Sequence, residues 1–233
     1  MGGASDVKKS FPKVGADPAT EEIVRIPLDS VALEGGLAVP ANTPGMAVFA
    51  HGSGSSRLSP RNQFVAAELR KERLATLLFD LLTEAEDSDY RLRFDIALLT
   101  ERLKGATEWL RRNPKTASVP IGYFGASTGA AAALRAAAEL GTEIGAVVCR
   151  GGRVDLVGSV LGEVRAPTLL IVGERDHSVL ELNREAYQRL KGEKRLTVVD
   201  GATHLFEEPG ALEEVARLSA DWFKKYLHRE VPP

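Results

Sequence analysis

The 233-residue chain holds one cysteine, Cys149, so no disulfide can close within it, which suits a reducing compartment. Its four histidines and single cysteine make no cluster with metal-ligand spacing, and neither a metal nor an organic cofactor is expected. Charge of one sign is missing too. Thirty basic and 32 acidic side chains leave a formal net charge of −2, with no electrostatic ground for nucleic acid or an anionic membrane as partner. No apolar run approaches the ~20 residues that span a bilayer. The opening stretch MGGASDVKKSFPKVG has no apolar signal region, and Asp6 stands where a myristoylation motif carries Ser or Thr. The chain reads as a soluble cytoplasmic protein whose partner is a small molecule; its oligomeric state is open.

What is present is 44% hydrophobic, enough at this length for one substantial core. Residues 1–20 are polar and read as a flexible N-terminal tail, and residues 21–230 as a single domain. EIVRIPL and VALEGGLAVP read as an antiparallel strand pair. GMAVFAHG, ATLLFDLL, IGYFGAS, IGAVVCRGG, APTLLIVGE and KRLTVVDG are continuous apolar runs, as strands covered on both faces require. Amphipathic stripes separate them. Leu92, Ile96, Leu99, Leu103, Ala106 and Leu110 recur at spacings of 4, 3, 4, 3 and 4, which predicts one helix ended by Asn113-Pro114. A second stripe follows Pro209-Gly210. Alternation of this kind predicts a three-layer α/β domain with a mostly parallel sheet.

Gly125-Ala126-Ser127-Thr128-Gly129 joins a buried strand to an alanine-rich helix. Ser127 could cap that helix. The context favours a nucleophile on a tight strand-to-helix turn, whose small neighbours let strand and helix approach. His204, in the loop after the last strand, is the candidate base, and Asp176, just past the preceding strand, the candidate orienting acid. Both emerge at the sheet edge that carries Ser127. His177 reads as a loop neighbour and His228 as solvated. FAHGSGSSR brings a glycine-rich loop to the same edge, and the amides of Ser53 and Thr128 are the candidate oxyanion donors, with His51 supporting the loop.

On HGSGSSR, GYFGASTGAA, LLIVGERD and GATHLF, in that order over residues 22–228, the chain resembles the α/β-hydrolase superfamily, and within it the dienelactone hydrolase-like group. The resemblance implies a largely parallel sheet of about eight strands flanked by helices, and hydrolysis of esters and lactones. Dienelactone hydrolases proper carry a cysteine nucleophile where this chain has Ser127, which points to a serine esterase. About 16 residues separate GAVVCR from PTLLIVG, room for one short helix and no large cap. A thioesterase, peptidase or acyltransferase would use the same groups, and a non-catalytic ligand-binding domain is the rival from another class.

Arg57, Arg61, Arg150 and Arg153 gather near the strand ends. They read either as surface charge paired with Asp80, Asp155 or the acidic run TEAEDSDY, or as possible substrate-binding groups for a carboxylate or phosphate. Glu84, Glu86, Asp87 and Asp89 read as a solvated rim.

Overall fold

All eight segments read as strands form one sheet in the computed structural model, which describes residues 19–28 and 30–227. Most of the N-terminal tail and His228 lie outside the described residues. Strands β1 (Glu22–Leu28) and β2 (Val31–Ala38) form an antiparallel hairpin. They are followed by β3 (Met46–Ala50), β4 (Ala75–Phe79), β5 (Ile121–Ala126), β6 (Ile144–Arg150), β7 (Thr168–Gly173) and β8 (Lys194–Val199). The spatial order is β1-β2-β4-β3-β5-β6-β7-β8, with β2 antiparallel to β4 and every pair from β3 onward parallel. Among the described residues the α-helices are α1 (Pro60–Lys71), α2 (Glu84–Asp87), α3 (Ile96–Arg112), α4 (Thr128–Leu140), α5 (His177–Arg189) and α6 (Ala211–Tyr226).

Strand alternation sorts the core into two layers. Val147 and Cys149 of β6 face α3 and α4, whereas Ala146 and Val148 face α1 and α6. Helix α4 packs close because Ala130 to Ala133, Ala136 and Ala137 are fully buried and add almost no bulk. Cys149 is the small buried hydrophobe its position predicts, and burial pushes its thiol pKa up.

Three local expectations are corrected. Leu92 lies in a 3₁₀ turn (Leu92–Phe94), and α3 starts only at Ile96, where the Asp95 carboxylate accepts from Leu98 N–H at 3.0 Å. The β6–β7 connection holds two 3₁₀ turns, Val154–Val157 and Leu161–Glu163, in place of one helix, and no cap. The acidic run is also more ordered than a solvated rim. Thr83 and Glu86 form a reciprocal cap on α2, Glu86 pairs with Arg102 at 2.7 Å, and Asp87 pairs with Arg93 at 2.8 Å.

Candidate active site

Ser127 sits between β5 and α4 with φ 50° and ψ −119°. A non-glycine residue there stores on the order of 1–3 kcal/mol of strain, so its surroundings must hold it. They do so through its own peptide groups. Ser127 N–H donates to Arg150 O at 3.2 Å, and its carbonyl accepts from Ala130 N–H at 3.1 Å and Arg153 N–H at 3.0 Å. A Cβ on Gly129 would lie 2.1 Å from Ala50 O, so only glycine lets the turn press against the end of β3. The Ser127 side chain makes no capping bond to α4, although it occupies the cap position. The strain therefore presents a free hydroxyl rather than a cap.

His204 and Asp176 come together as the sequence order predicts. His204 Nδ1–H donates to Asp176 Oδ2 at 2.6 Å, which leaves Nε2 as the ring's acceptor. The Asp176 side chain is nearly buried at 10% exposure, and that of His204 is 39% exposed. A Cβ on Gly151 would lie 3.3 Å from His204 Cε1, so the ring rests on the backbone just past β6. That backbone also holds Ser127 N–H. Serine and histidine thus meet over one strand end, although no hydrogen bond joins Ser127 Oγ to the ring; such bonds often tighten only with substrate in place.

The His204 loop has its own braces. Glu208 accepts from Thr203 Oγ1 at 2.7 Å and from Thr203 N–H at 3.1 Å, and Glu174 accepts from Gly201 N–H at 2.7 Å. A Cβ on Gly173 would lie 2.4 Å from Ala202 O, so the end of β7 must be bare for the loop to cross it. Buried Asn183 of α5 donates to Gly152 O at 2.9 Å and fixes the turn after β6.

On the other side of Ser127, buried His51 accepts from Leu81 N–H through Nε2 at 3.0 Å. Its Nδ1 therefore carries the hydrogen and donates to Gly52 O at 3.0 Å. Burial holds the His51 pKa below its ordinary value, against the pull of its bond to Gly52 and of Asp80 and Asp87. Ser53 N–H, the other end of the same peptide, donates to Thr128 Oγ1 at 2.9 Å. The Gly52–Ser53 peptide is thus clamped at both ends, beside Ser127. Thr128 is the first residue of α4, so its amide has no acceptor within the helix. Sequence reasoning used only the backbone of Thr128 and missed its hydroxyl. A short side chain with an acceptor, next to the serine, was the available signal.

Two of the four arginines are paired with carboxylates, as the surface-charge reading expects. Arg57 pairs with Glu34 at 2.6 Å and Asp80 at 3.1 Å, and its N–H donates to Asp80 at 2.8 Å, so it pins the loop after β3. Arg153 makes a two-bond pair with its near neighbour Asp155 at 2.9 and 2.8 Å. Arg61 reaches Glu207 at 3.3 Å. Arg150 is 8% exposed, and no protein group accepts from its Nε or Nη1.

Beside Ser53 and Thr128 lies a narrow crevice walled by Leu81, Leu82 and Leu99 and edged by Asp87 and Arg93. Leu58, Tyr90, Phe94, Leu156 and Leu205 are exposed in the connections that follow β3, β4, β6 and β8. Among the described residues, no group of three or more His, Cys, Asp or Glu is arranged to hold a metal ion, and no helix is long and apolar enough to cross a membrane.

The strand order, the strained serine turn and the loops at the parallel strands' carboxyl ends define an α/β-hydrolase fold. Similarity to known proteins narrows this. A dienelactone hydrolase from Anabaena variabilis is 52% identical, with 91% of this chain and 100% of that one covered at a TM-score of 0.89. The chain belongs to the dienelactone hydrolase-like family of α/β-hydrolases. An esterase of Pyrococcus furiosus shares the fold at 21% identity, over 90% of this chain and 92% of that one, with a TM-score of 0.74. A Mycobacterium tuberculosis H37Rv protein provisionally named a phosphoribosyl transferase is 56% identical over 210 residues, which is 90% of this chain. The chain spans 47% of that relative's length. No protein-family model matches the chain.

Proposed function

We propose that this domain, residues 21–230, is a serine hydrolase that cleaves carboxylic esters or lactones of small acyl groups through an acyl-enzyme. The observation that carries the reading is the His204–Asp176 bond of 2.6 Å at the strand end where Ser127 is held in a strained turn. His204 Nε2 takes the Ser127 proton as Oγ attacks the carbonyl carbon, and Asp176 steadies the imidazolium that forms. The amides of Thr128 and Ser53 receive the oxyanion, the latter sharing or leaving its bond to Thr128 Oγ1; losing one such donor costs about 3 kcal/mol. The alcohol leaves with the proton from His204, and water, activated by the same ring, releases the acid.

The narrow crevice beside Ser53 favours a short acyl chain, and the apolar rim offers a surface to the alcohol portion. Family membership supports ester or lactone hydrolysis, since the dienelactone hydrolase from Anabaena variabilis is 52% identical. The name phosphoribosyl transferase belongs to a protein of about twice this length, and we do not extend it to this portion.

The test is hydrolysis of p-nitrophenyl esters from acetate to decanoate, with Ser127→Ala alongside. Activity should peak at the short chains and fall by a factor of about 10⁴ or more in the variant. A serine-directed phosphonate should label Ser127 in the parent protein. A silent ligand-binding domain would show neither turnover nor label, and full esterase activity in Ser127→Ala would refute the assignment.

A further inference from the structure

Among the described residues, four that are not glycine have positive φ: Asn42, Arg73, Ser127 and Phe206. Two of them are ordinary. Asparagine visits the left-handed region readily, and Arg73 directly follows the C-cap of α1, where helices commonly turn left-handed. Ser127 is the strained serine of the strand-to-helix turn. Phe206 fits none of these cases. Its φ is 55°, a costly conformation for a bulky side chain. The same loop uses the freedom of glycine at Gly201 and Gly210, with φ 66° and 82°, but not here.

The ring is what holds Phe206 in that conformation. It is 1% exposed and belongs to the core layer that α1 and α6 form against the sheet. The consequence falls on His204. Phe206 N–H donates to Thr203 O at 3.2 Å, which closes a four-residue turn with His204 second and Leu205 third. Thr203 begins the turn and is tied by its amide and hydroxyl to Glu208. Just past the turn, Glu207 accepts from Arg61 of α1 at 3.3 Å. Of the four turn residues, only Phe206 is buried. Leu205 is 40% exposed and the His204 side chain 39%, so neither is seated by burial of its own. The turn that carries the base is therefore anchored in the core at one side chain, and that side chain sits on strained backbone.

We propose that Phe206 is a positioning residue: burial of its ring holds the His204 turn against its own backbone strain and so fixes the imidazole on Asp176. The placement of the imidazole stands on the contacts just given; its service to catalysis rests on the hydrolase reading above. Without the ring the turn relaxes, and the 2.6 Å bond from His204 Nδ1–H to Asp176 is no longer enforced.

The test uses the full chain with Phe206→Gly, Phe206→Ala and Phe206→Leu. Glycine adopts this φ freely, so Phe206→Gly removes the ring without adding strain and serves if Phe206→Ala folds poorly. On p-nitrophenyl acetate, kcat should fall by about 10²-fold in Phe206→Gly, with KM within about twofold of the parent's. Phe206→Leu keeps an apolar anchor and should recover most of that loss. A second readout needs no turnover. Nitrogen NMR of the histidine rings, at a pH where they are neutral, reports which tautomer is present, with His204 assigned by the loss of its signals in His204→Gln. The parent protein should show His204 as the Nδ1–H form, and Phe206→Gly a mixture with the Nε2–H form. Parental kcat in folded Phe206→Gly overturns the proposal, even if Tm falls, because the ring would then serve the core alone. A fall in kcat with the parental tautomer retained also overturns it. A tautomer shift in Phe206→Gly with no ester turnover by the parent protein removes the hydrolase reading and leaves the positioning of the imidazole in place.

Discussion

Two arginines on the same face of the sheet are buried almost equally, Arg70 at 4% and Arg150 at 8% exposure. Arg70 lies near the C-terminal end of α1, donates to Thr76 Oγ1 at 3.1 Å and sits 3.7 Å from Glu21. Arg150 lies at the opposite edge, near the start of the same helix, with Nε and Nη1 unpartnered and Arg61 as its charged neighbour. One edge of the sheet is electrostatically closed. The other carries an unpaired cation, a strained serine and most of the exposed apolar side chains. Stability alone would favour closing both edges, so the open one is where the physical argument for function concentrates.

The largest expected effect tests whether the open edge is chemical. Asp176→Asn keeps the shape of the side chain but presents an amide that can favour the wrong His204 tautomer. Turnover of p-nitrophenyl acetate should drop by a factor of about 10⁴ while the fold stays intact. A drop of only a few-fold would mean that the 2.6 Å pair merely holds a loop, and the contrast between the edges would lose its meaning.

The next effect tests the closed edge. Arg70→Met strands the fully buried Thr76 hydroxyl and removes the partner of Glu21, and should cost about 2 kcal/mol in urea unfolding. Arg150→Met removes an unpaired buried charge, so its cost in phosphate-free buffer should be near zero or negative. Equal losses in the two variants would show that Arg150 is as well compensated as Arg70.

Within the open edge, Thr128→Val keeps the volume of the side chain and deletes the acceptor of Ser53 N–H. Initial rates on short-chain esters should show kcat falling by about tenfold as the donor peptide loses its clamp. A rise in kcat would mean instead that Thr128 Oγ1 competes with the oxyanion for that hydrogen.

This division explains what could be read from residue order. Strands covered on both faces must be apolar throughout, so six were visible as continuous runs, and the more exposed β1 was read with β2 as an antiparallel pair. Ser127, Asp176 and His204 each follow a strand directly, and parallel strands deliver such residues to one edge. Partner choice was not visible. Arg57 is paired with Glu34 and Asp80, each 23 residues away and brought together only by the pairing of β2 with β4. The two-bond match of Arg153 with Asp155 was within reach of a local reading, as was the Thr83–Glu86 capping box. The start of α3 was hidden because a hydrophobic stripe continues through Leu92 whether or not the helical bonds do.

The smallest effect sharpens the comparison through pH. His51 is buried and neutral, with Nε2 occupied as an acceptor by Leu81 N–H, and burial is the largest influence holding its pKa below 6.5. In the unfolded chain the ring titrates near 6.5. Between the folded value and that point the unfolded state binds the extra proton, so stability rises with pH across the window. The contribution is complete above about 6.5 and is progressively lost as pH falls below it. A protonated ring would also turn a second N–H toward Leu81 N–H and break the strut that aims the Gly52–Ser53 peptide at Ser127. Melting His51→Gln and the parent protein at matched pH between about 5.5 and 7.5 should therefore give a flatter curve for the variant. The Arg70→Met curve should keep the parent's slope in that window, because the substitution leaves His51 and its two hydrogen bonds in place. Identical slopes in His51→Gln and the parent would instead show that the strut does not depend on a neutral ring.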